Sequence, residues 1–408
     1  MERSACSVAE NSVRAIQLHL WAHRSGLRLL RQIRLPARQI PVMQLNRLEL
    51  YSFRNYGHVI LEPDPQVNLL VGDNAQGKTN LLEAISCLSS GHSFRTRKEE
   101  ELIGFDQEFA ELHAEAAQKD RTQDIRILLF RGRRKRQLYI SGVRQKSGAE
   151  LQGLLNTVLF CPEDLLVLKS GAASRRKFLD SALCQLRPNY AKALTEYTRL
   201  HAHKTRILKD RFENPSLLDT LPEFNRQMAA AGAVLISYRA AYLKELAKCA
   251  AVYHSAFSGG AEQLQLQYCT VSSIPDPGAP KRVLFEQLLE HQERHRQAEL
   301  ESCQCLSGPH RDDFEVTLGG RSLKSFGSQG QTRTAAISLK LGERELSRRD
   351  TGEEPVLLLD DVLSELDPAR QDFVLNQIQT GQVFITCCEK EKLTRLGKTF
   401  FIKAGSIL

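Results

Sequence analysis

The sequence predicts an α/β fold, in which an open and largely parallel sheet is interrupted by a large helical insertion. Two short apolar runs have the character of buried strands: VNLLVG (67–72) leads into a glycine-rich segment, and VLLL (356–359) ends in two aspartates. Lys78 and Asp360, which follow these runs, are 282 residues apart. A compact sheet needs far fewer residues between two of its strands, so a large segment must be inserted between them.

The composition is that of a soluble globular protein. Of the 408 residues, 42% are hydrophobic and 25% are charged. No stretch approaches 18 uninterrupted apolar residues, so we expect no membrane-spanning helix and no membrane partner. The formal net charge of +8 is compatible with nucleic-acid binding. The ten cysteines lack the two-residue spacing of zinc sites, which favours reduced thiols in a cytoplasmic protein.

Residues 1–42 form a basic N-terminal extension, since they carry seven arginines and two acidic residues. Three interpretations remain open: a basic transit peptide, an arm that touches nucleic acid, or a start codon assigned too early. We favour the third, because an ordinary folded pattern begins abruptly at Met43.

The elements can be followed in order from Met43. Three spaced leucines predict the first strand, and a turn with two prolines separates it from the buried strand VNLLVG. The segment TNLLEAISCLSS (79–90) has helical spacing. Residues 109–146 alternate as strands do, with a basic hairpin-like turn at 131–136. These elements define an N-terminal lobe over residues 43–169.

The character changes at about residue 170, where long amphipathic helices begin. We assign residues 170–305 to a helical second lobe, which lacks the unbroken heptads of a long coiled coil. Strand character returns after it, so residues 306–408 are expected to complete the first lobe with an αβ unit near 330–403. The helices are broken by prolines and by a turn-rich segment: Pro188, Pro215, Pro222 and 273–280.

The segment GDNAQGKT (72–79) has the spacing of a phosphate-binding loop between a strand and a helix. Its glycines let backbone N–H groups point at phosphate oxygens, and the helix N-terminus adds a positive dipole. Lys78 would reach the β- and γ-phosphates, and Thr79 would bind Mg²⁺. A chance glycine turn is the alternative, and the strand and helix on either side argue against it. The predicted ATP-binding residues are Gly72, Asp73, Asn74, Ala75, Gln76, Gly77, Lys78 and Thr79.

The strand 356–359 delivers two acidic residues to the carboxyl end of the sheet, where nucleotides bind in open α/β folds. We predict that Asp360 holds Mg²⁺ and that Asp361 orients or deprotonates the attacking water, with Lys78 as the second catalytic residue. The alternative is that both acids cap the next turn. Their combination with the phosphate loop favours a catalytic role.

The segment FGSQGQTRTAAISLKLGE (326–343) places a polar cluster before a helix. Ser328, Gly330 and the helix N-terminus could bind phosphate by the same dipole argument. Taken alone, a serine N-cap explains this pattern better.

A phosphate loop, a distant S-x-G-Q helix, an acidic strand end and an S-x-L-D turn follow one another as in ATP-binding cassette ATPases. Within that group, the sequence resembles the RecF family from Met43 to near the C-terminus. The segments that carry the resemblance are SFRNY (52–56), GDNAQGKTNLLEAI (72–85), FCPEDLLVLKSG (160–171), RRKFLD (175–180), SGPHRDD (307–313), SQGQTRTAA (328–336) and LLLDDVLSELD (357–367).

The resemblance implies an ATP-binding-cassette-type P-loop ATPase head with an inserted helical second lobe. It further implies that ATP joins two protomers head to tail, with Lys78 and Thr79 of one facing Ser328, Gly330 and Gln331 of the other. Asp367 would lie near that interface. The dimer would clamp duplex DNA or single-strand/double-strand junctions, and hydrolysis would release it. RecF proteins act with RecR and RecO in DNA repair, replication and the SOS response, and help to load RecA at gapped DNA.

Two sequence features bear on the rate of ATP hydrolysis. Asp361 stands where many more distant relatives have glutamate, and its shorter side chain fits a weak, DNA-dependent ATPase that acts as a switch. A switch histidine is not evident after the last buried strand, where the sequence offers Thr386 or Cys387 instead.

Several cationic residues outside these motifs have more than one interpretation. Arg54 either contacts the nucleotide or is a solvated surface residue. The turn at 131–136 either contacts the DNA backbone or is solvated, and its candidates are Arg131, Arg133, Arg134, Lys135 and Arg136. Arg175, Arg176 and Lys177 lie near a predicted helix start and so favour an anionic partner. For the cluster HRDD (310–313) we favour a network of ion pairs over a metal site.

Two other functions compete with an ATP-driven DNA switch. The shared motif order also fits the nucleotide-binding subunit of a transporter, against which the long insertion and the missing switch histidine argue. A scaffold that binds ATP without significant turnover is the third.

Overall fold

The computed structural model describes residues 41–96, 98–119, 121–146, 148–270, 274–378, 380–388 and 396–408. The predictions made for the N-terminal extension therefore lie almost wholly outside the described residues. The strands are β1 (Gln44–Phe53), β2 (Tyr56–Leu61), β3 (Val67–Val71), β4 (Phe109–Gln118), β5 (Arg121–Phe130), β6 (Gln137–Ile140), β7 (Val143–Gln145), β8 (Thr157–Phe160), β9 (Leu264–Cys269), β10 (Asp313–Leu318), β11 (Arg321–Ser322), β12 (Val356–Leu359), β13 (Val383–Cys387), β14 (Lys398–Lys403) and β15 (Ser406–Ile407). The helices are α1 (Lys78–Ser90), α2 (Pro162–Leu166), α3 (Ala172–Leu186), α4 (Pro188–Asp210), α5 (Leu221–Ser258), α6 (Lys281–Arg294), α7 (Arg296–Ser302), α8 (Leu323–Phe326), α9 (Gln329–Thr351) and α10 (Pro368–Gln377).

A parallel sheet occupies the centre of the fold, with strand order β15-β14-β3-β13-β12-β8. Every strand pair in it is parallel except β14 with β15. The four residues of β12 and the five of β13 are all buried, as expected for strands covered on both faces. The sheet joins strands from both ends of the chain, because β3 lies between β13 and β14.

An antiparallel sheet covers one side of this parallel sheet, in the order β2-β1-β4-β5-β6-β7. Its strands alternate between buried and exposed positions, as in β1, where Leu48 and Leu50 are buried and Tyr51 is exposed. The buried side shares a core with α1 and with Leu358 and Phe384 of the parallel sheet. The opposite face of the parallel sheet packs on α9 and α10.

Helices α3 to α7 and strand β9 form the inserted region. The longest helix, α5, has 38 residues and contacts α4, α6 and α9. Gly342 of α9 allows α5 to approach closely, because a Cβ there would lie 3.1 Å from the backbone nitrogen of Ala250. Among the described helices, none has an apolar stretch of the length and hydropathy needed to cross a membrane.

One strand interrupts the segment that we predicted to be helical. Residues Leu264–Cys269 form β9, which pairs antiparallel with β10 in a small sheet of order β11-β10-β9. The sequence of β9, LQLQYC, alternates with the period of a strand, and this signal was missed among the surrounding helices. The strand ties the inserted region to the chain that re-enters the first lobe.

Candidate nucleotide-binding site

The phosphate loop lies between the end of β3 and the start of α1. Gly77 has a φ of 119°, and a Cβ there would lie 2.8 Å from the hydroxyl of Tyr56, so only glycine fits. The Lys78 side chain is 7% exposed, and its Nζ donates to the carbonyls of Gly72 and Asp73, the latter at 3.0 Å. It also donates to Sγ of Cys388 at 3.2 Å. The ammonium group is thus held over the loop that would cradle the phosphates.

A brace from outside the motif fixes the shape of this loop. Asn55 Nδ2 donates to the carbonyl of Gln76 at 2.9 Å, and the Tyr56 hydroxyl donates to the carbonyl of Gly77 at 3.0 Å. The turn between β14 and β15 adds two bonds, because Ala404 N donates to Gln76 Oε1 at 2.7 Å and Gly405 N donates to the Gln76 carbonyl at 3.1 Å. No role was predicted for these bracing residues.

Asp360 and Thr79 meet at the carboxyl edge of the parallel sheet. The Thr79 hydroxyl donates to Asp360 Oδ1 at 2.9 Å, although 281 positions separate the two residues. Thr386 also donates to this oxygen, at 3.1 Å. Burial raises the pKa of Asp360, and the hydrogen bonds from Thr79 and Thr386 oppose that rise. A carboxylate beside a hydroxyl at the mouth of a phosphate loop is a donor set that suits Mg²⁺, so the residues present fit this ion.

Asp361 adopts a left-handed backbone conformation, with a φ of 52°, which is uncommon outside glycine. Two hydrogen bonds hold it there. Its N–H donates to the Thr386 hydroxyl at 2.7 Å, and its carboxylate accepts from the Ser364 hydroxyl at 2.8 Å. Thr386, which the sequence offered only as a stand-in for a switch residue, therefore contacts both acids.

Ser328 is the N-cap of α9, as the plainer interpretation of its segment predicted. Its Oγ accepts from Gln331 N at 3.1 Å, and its own N–H donates to Gln331 Oε1 at 2.9 Å, which completes a capping box. Gln331 also donates to Glu262 Oε1 at 2.7 Å. Ser328 is exposed at the helix N-terminus, so capping and phosphate binding are compatible.

Asp367 connects the turn after β12 to the start of α9. It caps α10 by accepting from Arg370 N at 3.1 Å, and it forms an ion pair with the same arginine. Burial acts to raise the pKa of Asp367, but hydrogen bonds from Arg370 outweigh it and lower the pKa. Arg370 then donates to the Gly330 carbonyl at 3.1 Å and to Thr334 Oγ1 at 3.0 Å.

Comparisons with known proteins agree with this geometry. The family model described as RecF/RecN/SMC N terminal domain matches residues 44–405. The DNA replication and repair protein RecF of Acetivibrio thermocellus is 37% identical, over 86% of this chain and 94% of its own length. The protein of the same name from Enterococcus faecalis is 38% identical, over 90% of this chain and 98% of its own length. This chain belongs to the RecF family.

Solved structures give the same assignment. A structure of the recombination mediator protein RecF with ATP in the RecFOR pathway superimposes with a TM-score of 0.84 at 33% identity, covering 92% of this chain and 99% of that one. An Smc head domain from Pyrococcus furiosus has a TM-score of 0.51 at 15% identity, covering 90% of this chain and 95% of that one, and so shares the fold. The predicted α/β ATPase-head fold is confirmed.

In this RecF-family chain, Arg54 binds the carboxylate of Glu83, for which no role was predicted. Its Nε and Nη2 donate to the two oxygens of Glu83 at 2.9 and 2.7 Å, and the Glu83 side chain is fully buried. Arg95, also missed, donates to Glu83 at 3.3 Å and to Asn80 Oδ1 at 2.8 Å. The charge of Arg95 also opposes the rise in the pKa of Asp360. Contact between Arg54 and the nucleotide stays a prediction.

The five DNA-binding candidates lie between β5 and β6. Arg131 donates to the carbonyls of Gln107 and Gly104, and Arg136 pairs with Glu99 at 2.9 Å. The other three are exposed, and their contact with DNA stays a prediction: Arg133, Arg134 and Lys135.

The remaining cations have intramolecular partners. Arg175 is buried and makes two hydrogen bonds to Asp313, at 2.6 and 2.7 Å, so its anionic partner lies within the chain. Arg176 donates to the Asp312 carbonyl at 2.6 Å. Lys177 donates to the carbonyl of Phe94 at 3.1 Å. Of these three contacts, the one between Arg175 and Asp313 is an ion pair with a residue of HRDD (310–313). No metal-binding cluster of three or more His, Cys, Asp or Glu residues occurs in the described part of the chain.

Proposed function

We propose that this chain is an ATP-dependent DNA-binding protein of recombinational repair and replication, acting in the cytoplasm. Two copies would join head to tail around ATP and close on DNA at single-strand gaps, and slow hydrolysis would release them. In this role the clamp would help RecO and RecR to load RecA. The observation that carries the proposal is the 2.9 Å hydrogen bond from Thr79 to Asp360, which joins the phosphate loop to the acidic strand end.

The chain's own residues supply the parts of an ATPase site. Lys78 would leave its present carbonyl partners for the phosphates, since both sets of partners are oxygen acceptors. Asp361 would position a water molecule from its left-handed turn. Mg²⁺, held by Thr79 and Asp360, would neutralise charge on the phosphates.

Three observations support dimerisation and DNA binding. Ser328 is exposed at the start of a helix of 23 residues, where another molecule's phosphate could reach it. The related structure bears the description of a recombination mediator with ATP in the RecFOR pathway, and the relatives are DNA replication and repair proteins. The exposed basic turn could meet the DNA backbone without reading its sequence.

The test is the affinity for labelled duplex DNA, measured by fluorescence anisotropy with ATP and with ADP at one fixed salt concentration. Tighter binding with ATP supports the clamp. Equal binding in both nucleotides would favour an ATP-binding scaffold. Lys78→Ala should lose ATP binding, whereas Asp361→Asn should bind ATP and stop turnover. Normal ATP binding by Lys78→Ala would show that the site is assigned wrongly.

A further inference from the structure

A row of aromatic side chains crosses the outer face of the antiparallel sheet. It runs over four adjacent strands, through His58 of β2, Tyr51 of β1, Phe109 of β4 and Phe130 of β5. The ring centroids of Tyr51 and His58 are 6.2 Å apart. Those of Tyr51 and Phe109 are 5.5 Å apart, with the planes inclined by only 22°. Phe109 lies directly opposite Phe130 in the strand pairing, so the two side chains are neighbours on one face, and Phe130 is half-buried.

The row faces solvent. Tyr51 is 44% exposed, Phe109 is 37% exposed and the His58 side chain is 53% exposed. Their neighbours along the same strands, Leu50 and Ala110, are fully buried in the core, so the rings are not needed to fill it. An antiparallel sheet with an exposed aromatic row is the arrangement on which proteins stack unpaired nucleic-acid bases.

Cationic groups extend one end of the row. The guanidinium of Arg134 lies 3.8 Å from the centroid of the Phe130 ring. Arg133 and Lys135 flank it in the same exposed turn. A base that stacks along the row would therefore place its sugar–phosphate backbone within reach of positive charge.

Acidic side chains near the row have cationic partners. Glu111 pairs with Arg126 and accepts from its Nη2 at 2.8 Å, and Glu49 accepts from Arg47 at 3.0 Å. The Glu49 carboxylate also bonds the His58 ring at 2.9 Å. These charged side chains interrupt the apolar surface beside the row on the open sheet face. A strip of this kind fits stacked bases better than it fits a protein partner, whose interface would need a broader apolar core.

One residue of the row is close in sequence to the residues that brace the phosphate loop. Tyr51 is three residues from Arg54, at the end of β1 that leads into the turn bracing the phosphate loop through Asn55 and Tyr56. We propose that the aromatic row binds unpaired bases of single-stranded DNA, with the basic turn on their phosphates. This inference rests on the proposed function, and it adds a distinct site for the unpaired strand beside a gap.

The test compares a labelled oligothymidine of about 16 nucleotides with a duplex of the same length, with ATP and at fixed salt. Tyr51→Leu and Phe109→Leu keep an apolar side chain but remove the ring. Each should weaken single-strand binding roughly five- to hundredfold while duplex binding changes less than about twofold. Ile60→Ala is the matched control, because Ile60 is 43% exposed on the neighbouring strand β2, and it should bind both DNAs as the parent chain does.

A second measurement does not depend on the variants folding. The unaltered chain is photocrosslinked to a single strand carrying 5-iododeoxyuridine, and adducts at Tyr51, His58 or Phe109 support the proposal. Adducts found only elsewhere overturn it, as does a loss of binding by Tyr51→Leu that is equal for single strand and duplex. Loss of a protein partner by that variant with single-strand binding intact would also overturn it. If the unaltered chain bound neither DNA with ATP, the proposed function itself would fail.

Discussion

Replacing Thr386 by valine tests how the two acidic residues of the site are held. The Thr386 hydroxyl accepts from Asp361 N–H at 2.7 Å and donates to Asp360 Oδ1 at 3.1 Å, and the residue is 2% exposed. One hydroxyl can make both bonds because it has one hydrogen and two lone pairs. Valine has nearly the same shape, so Thr386→Val removes the two hydrogen bonds while leaving the packing almost unchanged.

The expected loss of stability follows from these two bonds. The bond to the Asp360 carboxylate contributes about 1.5–3 kcal/mol, and leaving the Asp361 N–H without its partner costs about 1–3 kcal/mol. Asp360 keeps its bond from Thr79, which reduces the first figure. We therefore expect the free energy of unfolding to fall by about 2–4 kcal/mol. Because the left-handed turn at Asp361 loses an anchor, kcat should fall about tenfold or more while ATP affinity changes little.

Thr386→Val should change the pH dependence of ATP turnover and of stability in a defined direction. Burial raises the pKa of Asp360, and the hydrogen bond from Thr386 opposes this rise, so Thr386→Val should raise the pKa further. The acid limb of ATP turnover should then move to higher pH. A raised carboxyl pKa destabilises the folded state progressively as pH rises from the unfolded pKa through the folded pKa, so the deficit in stability is complete above the folded pKa.

Urea unfolding and phosphate release at saturating ATP measure the two effects. Thr386→Ser is the control, because it keeps the hydroxyl and loses one buried methyl group, at a cost of about 1 kcal/mol. This explanation is refuted if Thr386→Val has the same free energy of unfolding as Thr386→Ser at neutral pH and the same acid limb of ATP turnover as the parent chain.

Three further predictions follow from single contacts. Ser328→Ala should cost about 1 kcal/mol of stability as a lost N-cap, and light scattering should show ATP-dependent dimerisation weakened about tenfold or more. Ser325→Ala, at an exposed position of the neighbouring helix α8, should have neither effect. Lys204→Met should lower the free energy of unfolding by about 3–5 kcal/mol, because it leaves the Glu299 carboxylate without its counter-ion. Glu299 is 4% exposed and lies 2.5 Å from the lysine Nζ. The double variant Lys204→Met with Glu299→Leu should recover most of this loss in urea unfolding. Burial lowers the pKa of His310 to about 4, so the free energy of unfolding should fall by up to about 3 kcal/mol as pH drops from 6.5 to 4. A His310→Gln variant whose urea midpoint fell just as steeply over this pH range would contradict the assignment.

The motifs near the sheet were predictable because local sequence determines them. The strand before Asp360 is a run of four buried apolar residues, and the strand before the phosphate loop ends in three. Each strand is followed directly by the residues that would bind the nucleotide. The helix predicted at 79–90 is α1, one residue longer at its start. Fold class followed from these local signals together with the distance between them.

The supports of the site were not predictable from local pattern. Asn55 and Gly405 both bond Gln76, from segments about 20 residues before it and over 300 residues after it. Nothing in the spacing of either segment shows that they meet, because strand pairing of β14 with β3 brings them together. In the sequence, Glu83 is likewise an ordinary acidic residue of a helix, and only the structure shows that it pairs with Arg54 and Arg95.

The start of α9 and the turn that carries Asp361 are joined within one chain. Arg333 donates to the Glu365 carbonyl at 2.7 Å, and the adjacent Ser364 hydroxyl bonds the Asp361 carboxylate at 2.8 Å. Arg370, on the far side of the same turn, donates to the Gly330 carbonyl at 3.1 Å. A second protomer that engaged the exposed N-terminus of α9 would therefore act on a helix bonded to Glu365 and Arg370, which follow Asp361 in the chain. In the proposed dimer, these short contacts would couple assembly to hydrolysis without any rearrangement of the parallel sheet.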